Sequence, residues 1–402
     1  MAHIHLCWEL GGGFGHVVRL KVLAQALLGR GHQVSLSLRD LMRPHALLAE
    51  LDVPMFQAPV WLHQAVGLPP AQANLAETLF NCGYLEPAML RGVLTGWRSL
   101  FTQLRPDLVV GDYAPTALVA ARSLGLRSAS VGNGFSSPPP ARPLPPLRDW
   151  DRIPAERMAA AEARVLNTVN TLLGEFGAAA PFACAADLFA GDLSLLCTWP
   201  ELDHYARPQE SAHWLGSNFL VDAGIEPSWP AGEGPKVFAY LKATHPAHGA
   251  ALRALVDEGC RTLVYMPEVA GAGGREPPVS SPLLCYASGP VALQQALAQA
   301  DLYVSHAGEA TLAQSLLAGV PMLMLPSHTE QFLAARRVAA SGAGFNAAFL
   351  KSPSDWRAAL RQLLDDPSYR REAQAFAARH AGFSQQRMSE EVALLLERLL
   401  QR

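Results

Sequence analysis

The sequence predicts an α/β protein of two successive domains, each built on a mostly parallel, doubly wound sheet. Three observations carry this. At 402 residues the chain exceeds what one core usually organises, so two domains of about 200 residues each follow. Short apolar runs alternate with helical segments, stop, and then begin again, as strand–helix–strand units do in parallel sheets. Between the two series the composition shifts to Gly, Pro and Ser (GSNFLVDAGIEPSWPAGEGP), which predicts a linker over residues 216–235.

In the first half, residues 1–215, His3–Leu10 reads as a strand followed by a glycine-rich turn. A helix is expected from about His16 to Arg30, closed by Gly31, with Gln33–Leu38 as the next strand. Leu108–Val110 is a short buried strand ending at Gly111-Asp112, ahead of a helix over Thr116–Leu124, and Ser128–Val131 begins another strand. Ser136–Leu147 (SSPPPARPLPPL) is too rich in proline for a regular element. It reads as a stiff surface connection or as a loop bordering an acceptor site. Ala155–Phe176 is an alanine-rich helix. In the second half, residues 236–380, the strands are Lys236–Leu241, Arg261–Met266, Leu302–Ser305 and Leu323–Leu325, with helices between them. Residues 381–402 form a terminal helix.

Composition excludes several classes. With 50% hydrophobic and 17% charged residues the chain is globular, not disordered. A net charge of -3 gives no footprint for nucleic acid. The six cysteines are scattered without CxxC or metal-finger spacing, so buried thiols in a reducing compartment are expected, and no metal site. No signal peptide is evident, and no run reaches the ~18 apolar residues that span a bilayer. A cytoplasmic location follows, with peripheral membrane contact left open.

The most informative stretch is DLYVSHAGEATLAQSLLAGVPMLMLPSHTEQFLAARRVAASGAG, Asp301–Gly344. A buried strand stops at Ser305-His306, and a small-residue turn leads into a helix over Glu309–Leu317. A helix start offers N–H groups and positive dipole charge to a phosphate. This stretch resembles the donor-binding signature of the UDP-glycosyltransferase superfamily through His306, Gly308, Thr311, Gly319-Val320-Pro321, Pro326 and Glu330-Gln331. The resemblance implies the GT-B architecture, two Rossmann-like α/β/α domains facing a central cleft, with the last helix crossing back to the first domain. It implies that His306 and the main chain of Glu309, Ala310 and Thr311 hold a diphosphate, and that Glu330 and Gln331 bind hydroxyls of the donor sugar. Pro290 and Val291, in the turn Tyr286–Val291, would receive the base. The superfamily's acidic ribose ligand falls at Gln314, which leaves UDP- and TDP-linked donors equally open. Lys242, after the first strand of this half, would meet a phosphate or stand in solvent.

Near the N-terminus, Glu9-Leu10-Gly11-Gly12-Gly13-Phe14-Gly15-His16 is a glycine-rich strand-to-helix turn. As a dinucleotide fingerprint it is incomplete, because His16 stands where a glycine belongs; Arg39-Asp40 nevertheless keeps a nicotinamide reading open. The turn also resembles the superfamily's G-x-G-H element. That resemblance gives His16 the role of base, Asp112 the role of its carboxylate partner with Glu9 as alternative, and Gly13 and Phe14 a place at the donor. The function expected is a metal-independent, inverting transfer of a sugar from a nucleotide-diphosphate sugar, without further cofactor, to a hydroxyl of a small-molecule or lipid-like acceptor. An oxidoreductase, an epimerase of the same fold and a non-catalytic partner of a transferase stay as alternatives.

Overall fold

The computed structural model describes residues 1–178, 180–221, 224–271 and 274–401. The chain divides into two compact units, Met1–Asn218 with Ser384–Arg402, and Phe219–Phe383.

The first unit holds β1 (His3–Trp8), β2 (Gln33–Leu38), β3 (Met55–Gln57), β4 (Leu108–Asp112), β5 (Arg127–Gly132) and β6 (Leu193–Leu196). Its helices are α1 (Phe14–Gly29), α2 (His45–Leu48), α3 (Leu75–Phe80), α4 (Pro87–Leu104), α5 (Pro115–Ser123) and α6 (Ala155–Glu175). All six strands pair in parallel in the order β3-β2-β1-β4-β5-β6. The central strands β1 and β4 are almost continuously buried, as strands covered on both faces must be. One polar residue interrupts β1: His5, fully buried, bonds the hydroxyls of Ser35 and Ser37 on β2 at 2.7 and 2.8 Å. Burial pushes its imidazole down to about 3, so it stays neutral and satisfied.

The second unit holds β7 (Lys236–Tyr240), β8 (Arg261–Tyr265), β9 (Leu284–Tyr286), β10 (Leu302–Ser305), β11 (Met322–Met324) and β12 (Gly344–Asn346). Its helices are α7 (His248–Asp257), α8 (Leu293–Leu297), α9 (Glu309–Leu317), α10 (Thr329–Ala340), α11 (Pro353–Asp365) and α12 (Pro367–Arg379). The order is β12-β11-β10-β7-β8-β9, again all parallel. Counted from β7, this repeats the arrangement of the first sheet. The Gly319-Val320-Pro321 motif is structural here: Gly319, at φ 68, ends α9, and the Ser315 hydroxyl donates to Val320 O at 3.0 Å.

The last helix, α13 (Gln385–Gln401), belongs to the first unit and packs on α1. It buries Met388, Val392, Leu396 and Leu399. Arg30 forks onto Glu397 at 2.8 and 2.6 Å, and His32 reaches the same carboxylate at 2.9 Å. Those bonds hold the Glu397 carboxyl down at about 2.

Two expectations need correction. The predicted linker at 216–235 is mostly built into the second unit, which begins at Phe219. Ile225 bridges to Val291, its N–H donating to Pro290 O at 2.7 Å and its carbonyl accepting from Ala292 N–H at 2.8 Å. The proline-rich segment is only in part a surface connection. Leu144 and Leu147 are buried, and Leu144 N–H donates to the buried Glu162 carboxylate at 2.8 Å while its carbonyl accepts from Asn74 at 3.2 Å. No cysteine joins a disulfide. Among the described residues no helix is long and apolar enough to cross a membrane.

Candidate functional site

Each sheet reverses its winding between its first and fourth strands, β1/β4 and β7/β10. Loops leaving the carboxyl ends of such a strand pair diverge and open a crevice, the usual ligand site of a doubly wound sheet. His16 and Asp112 lie at the first of these points, and His306 to Thr311 at the second.

In the first unit β4 ends at Asp112, and α1 places His16 in its first turn. His16 Nδ1 lies 3.0 Å from Asp112 Oδ1. An ionised carboxylate only accepts, so Nδ1 carries the proton and Nε2 carries the lone pair. Nε2 makes no hydrogen bond within the described residues. The ring stacks on Trp8 (centroids 5.4 Å apart) and lies 6.3 Å from Tyr113. Tyr113 itself holds the left-handed conformation, φ 47, rare for a side chain of this size. Its carbonyl accepts from Leu10 N–H at 2.9 Å, tying the glycine-rich turn to the end of β4. Gly13 (φ 91) caps α1, and Phe14 beside it is half exposed.

Sequence reasoning missed Arg19. It lies one turn along α1 from His16, and its Nη1 donates to Asp112 Oδ2 at 2.7 Å. Burial opposes ionisation of Asp112, yet Arg19 and His16 together hold its carboxyl below the usual range. The i, i+3 spacing on one helix face is a readable signal once Asp112 is placed opposite His16.

Glu9, the alternative partner of His16, faces elsewhere. Its Oε2 accepts from Thr116 N–H at 2.8 Å, at the start of α5. Burial pushes its carboxyl up to about 7, against the pull of Thr116, Ala117 and Arg39. A raised folded-state value means that Glu9 costs nothing below pH 4.5, the ordinary value, and destabilises progressively as the pH rises towards and through 7. Glu9→Gln keeps an acceptor for Thr116 and removes the titration. The variant is therefore expected to match wild type in calorimetry near pH 4.5 and to exceed it by about 3 kcal/mol at pH 8. A difference independent of pH would contradict this origin. Arg39 and Asp40 are also engaged: Arg39 donates to Glu9 O at 2.9 Å, and Asp40 accepts from Met42 and Arg43 N–H at 2.9 and 3.3 Å.

In the second unit the crevice lies between the loops after β7 and β10. His306 stands at the end of β10 with both ring nitrogens bonded to main chain. Nδ1 donates to Leu325 O at 2.8 Å, and Nε2 accepts from Lys242 N–H at 2.8 Å. Burial pushes the imidazole down to about 4, so it is neutral and both nitrogens are engaged. His306 is thus a clamp between the ends of β7 and β11. The next residue of the clamped loop, Ala243, donates its N–H to Glu268 at 3.1 Å, and the exposed Lys242 side chain is left without a hydrogen-bond partner among the described residues.

Ala307 completes the turn in the left-handed region, φ 59, and Gly308 caps α9. The N–H and the hydroxyl of Thr311 both donate to Gly308 O, at 3.0 and 2.9 Å. The first-turn N–H groups of Glu309 and Ala310 are those an α-helix does not use internally. Gln314 is buried and folds back onto its own helix, donating to Ala310 O at 3.2 Å. Glu330 and Gln331 open α10 after β11, with Gln331 accepting from Ser327 N–H at 2.9 Å. At the base turn, Ile225 engages Pro290 O and Ala292 N–H, so the pleat turns the N–H and C=O of Val291 to the other side.

Residues 286–399 match the family described as Erythromycin biosynthesis protein CIII-like, C-terminal domain. A relative from Mycobacterium tuberculosis, a PGL/p-HBAD biosynthesis glycosyltransferase, is 25% identical over 393 residues, covering 92% of this chain and 88% of its own length. The structure of the glycotransferase of kitacinnamycin superposes with a TM-score of 0.72 at 21% identity, covering 99% of both chains. Glycosyltransferase VinC in complex with DTDP superposes at 0.69 with 17% identity, covering 99% of this chain and 100% of its own. Two repeated parallel sheets give the chain the GT-B fold, and with relatives of matching length, all of them similar to the family 1-like superfamily, the protein is a glycosyltransferase.

Proposed function

We propose that the protein transfers a sugar from a nucleoside-diphosphate donor to an acceptor hydroxyl with inversion, using His16 as base. The observation that carries this reading is the His16–Asp112 contact, which commits Nδ1 and leaves Nε2 as the lone-pair nitrogen. In the reaction Nε2 takes the hydroxyl proton as the acceptor oxygen bonds to the anomeric carbon. The bond from that carbon to the phosphate oxygen breaks, and the nucleoside diphosphate leaves with the electron pair. One displacement inverts the centre.

The second unit holds the leaving group in this reading. The N-terminus of α9 and the Lys242 ammonium receive the diphosphate charge, which makes the transfer metal-independent. Glu330 and Gln331 take sugar hydroxyls, Gln314 faces the ribose, and Val291 reads the base through its main chain. A TDP-linked donor is favoured by the bound nucleotide of VinC, and a lipid-like or aromatic acceptor by the relative named for PGL/p-HBAD biosynthesis.

Thermal shift with TDP, UDP, TDP-rhamnose, TDP-glucose and UDP-glucose tests the donor. Transfer to 4-methylumbelliferone with and without EDTA, with the product anomer assigned by NMR, tests the chemistry. Stabilisation by one nucleotide series, an inverted product and turnover in EDTA are expected. A retained configuration removes direct displacement, and no stabilisation by any nucleotide removes the donor site.

A further inference from the structure

The His16–Asp112 pair does not stand alone. Asp112 is completely buried, and each of its oxygens has its own partner: Oδ1 takes His16 and Oδ2 takes Arg19. Arg19 is itself 7% exposed and donates from Nε to Asn218 Oδ1 at 3.3 Å. Asn218 in turn reaches Met388 Sδ on α13 at 3.7 Å. A cavity of about 10 Å³, room for roughly one water, lies beside Arg19, Asn218 and Ser389. The guanidinium is thus fixed on both sides.

We propose that Arg19 is a positioning residue of the base assembly, holding the Asp112 carboxylate in the orientation that presents His16. This rests on His16 being the base. A carboxylate buried against a neutral imidazole alone is prone to take up a proton, and a protonated Asp112 no longer fixes the tautomer of His16. Arg19 prevents that, because it cannot lose its own proton. Its positive charge also opposes a second positive charge nearby. The Asp112 carboxyl therefore takes up its proton at lower pH than it would without Arg19. Of the other ionisable groups, the Tyr113 ring lies 6.3 Å from the His16 ring, Cys7 pairs with Gly111 beside Asp112, Cys197 lines the cavity beside Arg19, and Glu9, Arg39 and Tyr84 are engaged elsewhere. Glu9 bonds the start of α5, Arg39 bonds Glu9 O, and Tyr84 bonds Thr116, so none of these three substitutes for Arg19.

The test compares Arg19→Met, Arg19→Lys, Asp112→Asn and the double variant Arg19→Met/Asp112→Asn with wild type and His16→Ala. TDP-rhamnose, TDP-glucose or UDP-glucose serves as donor and 4-methylumbelliferone as acceptor. Arg19→Met is expected to lower kcat by about a hundred-fold, as misplaced catalytic groups do, with both KM values little changed. Its acid limb should move up by about one pH unit or more. Arg19→Lys should restore the limb but only part of kcat, because an ammonium lacks the guanidinium fork. In the Asp112→Asn background Arg19→Met should cost almost nothing further. An equal loss in both backgrounds, or an unmoved acid limb, overturns the proposal and leaves Arg19 a packing residue. If Arg19→Met does not fold, Arg19→Lys and Arg19→Gln decide by the same limb. Turnover surviving in His16→Ala overturns instead the reading of His16 as base.

Discussion

His16→Ala is expected to lower kcat by about 10²–10⁴-fold while the nucleotide that stabilises wild type raises the melting temperature of the variant just as much. The two readouts separate because the proposed base belongs to the first unit and the proposed donor-site residues of α9 and α10 to the second. His16 touches Trp8, Tyr113 and Asp112, all within the first unit. Asp112→Asn should fall in the same range. An amide in the place of Oδ1 can turn its NH₂ towards Nδ1, which moves the ring proton to Nε2 and removes the lone pair. Equal loss of nucleotide stabilisation and of turnover in His16→Ala would point to a donor-binding role for the imidazole. Unchanged turnover would return the base to an unassigned group.

The parts of this site that were legible in the sequence are those fixed by chain order. Gln33–Leu38, Leu302–Ser305 and the helix Glu309–Leu317 have the bounds expected of them, because each carries a clear apolar pattern bounded by turn residues. His16 and Asp112 are 96 residues apart, yet a doubly wound sheet sets the first strand beside the fourth, and that adjacency brings them together. The strands β3, β9 and β12 were not legible. Each has three residues, too few for a periodicity, and β3 and β9 contain no fully buried position.

The ring contacts of His306 were not legible for a different reason. Motif spacing places its backbone at a strand end, but the partners of its ring, Lys242 and Leu325, come from the ends of β7 and β11. Only tertiary packing decides whether those nitrogens point at a ligand or at main chain. The same holds for Arg19, which reads as one more residue on a helix that also buries Val17, Leu20, Leu23 and Leu27. Glu9 shows the converse. Its place after β1 suggested chemistry, and its carboxylate instead serves the start of α5.

Gly11→Ala is expected to reduce transfer nearly as far as loss of the base itself, although residue 11 carries no functional group. Gly11 has φ +75, and a Cβ built on it would lie 2.7 Å from His16 Nε2 and 3.2 Å from Tyr113 Cδ1. The first distance is shorter than real Cβ contacts, so the imidazole must turn away. Turning breaks the 3.0 Å contact to Asp112 or leaves the methyl against the nitrogen that would receive the proton. Either result removes a base while leaving every ionisable group in place. The left-handed backbone adds roughly 1–2 kcal/mol of strain for alanine, so a fall of a few degrees in melting temperature is expected as well. Gly12→Ala is the control: a Cβ there meets nothing within 4 Å and its φ lies outside the left-handed region. It should keep transfer within about twofold, surface changes of this kind being nearly neutral. In the His16→Ala background Gly11→Ala should cost stability but no further turnover, since the ring it displaces is gone. A Gly11→Ala enzyme with wild-type kcat would mean that Nε2 does not accept the proton from the side the glycine leaves open.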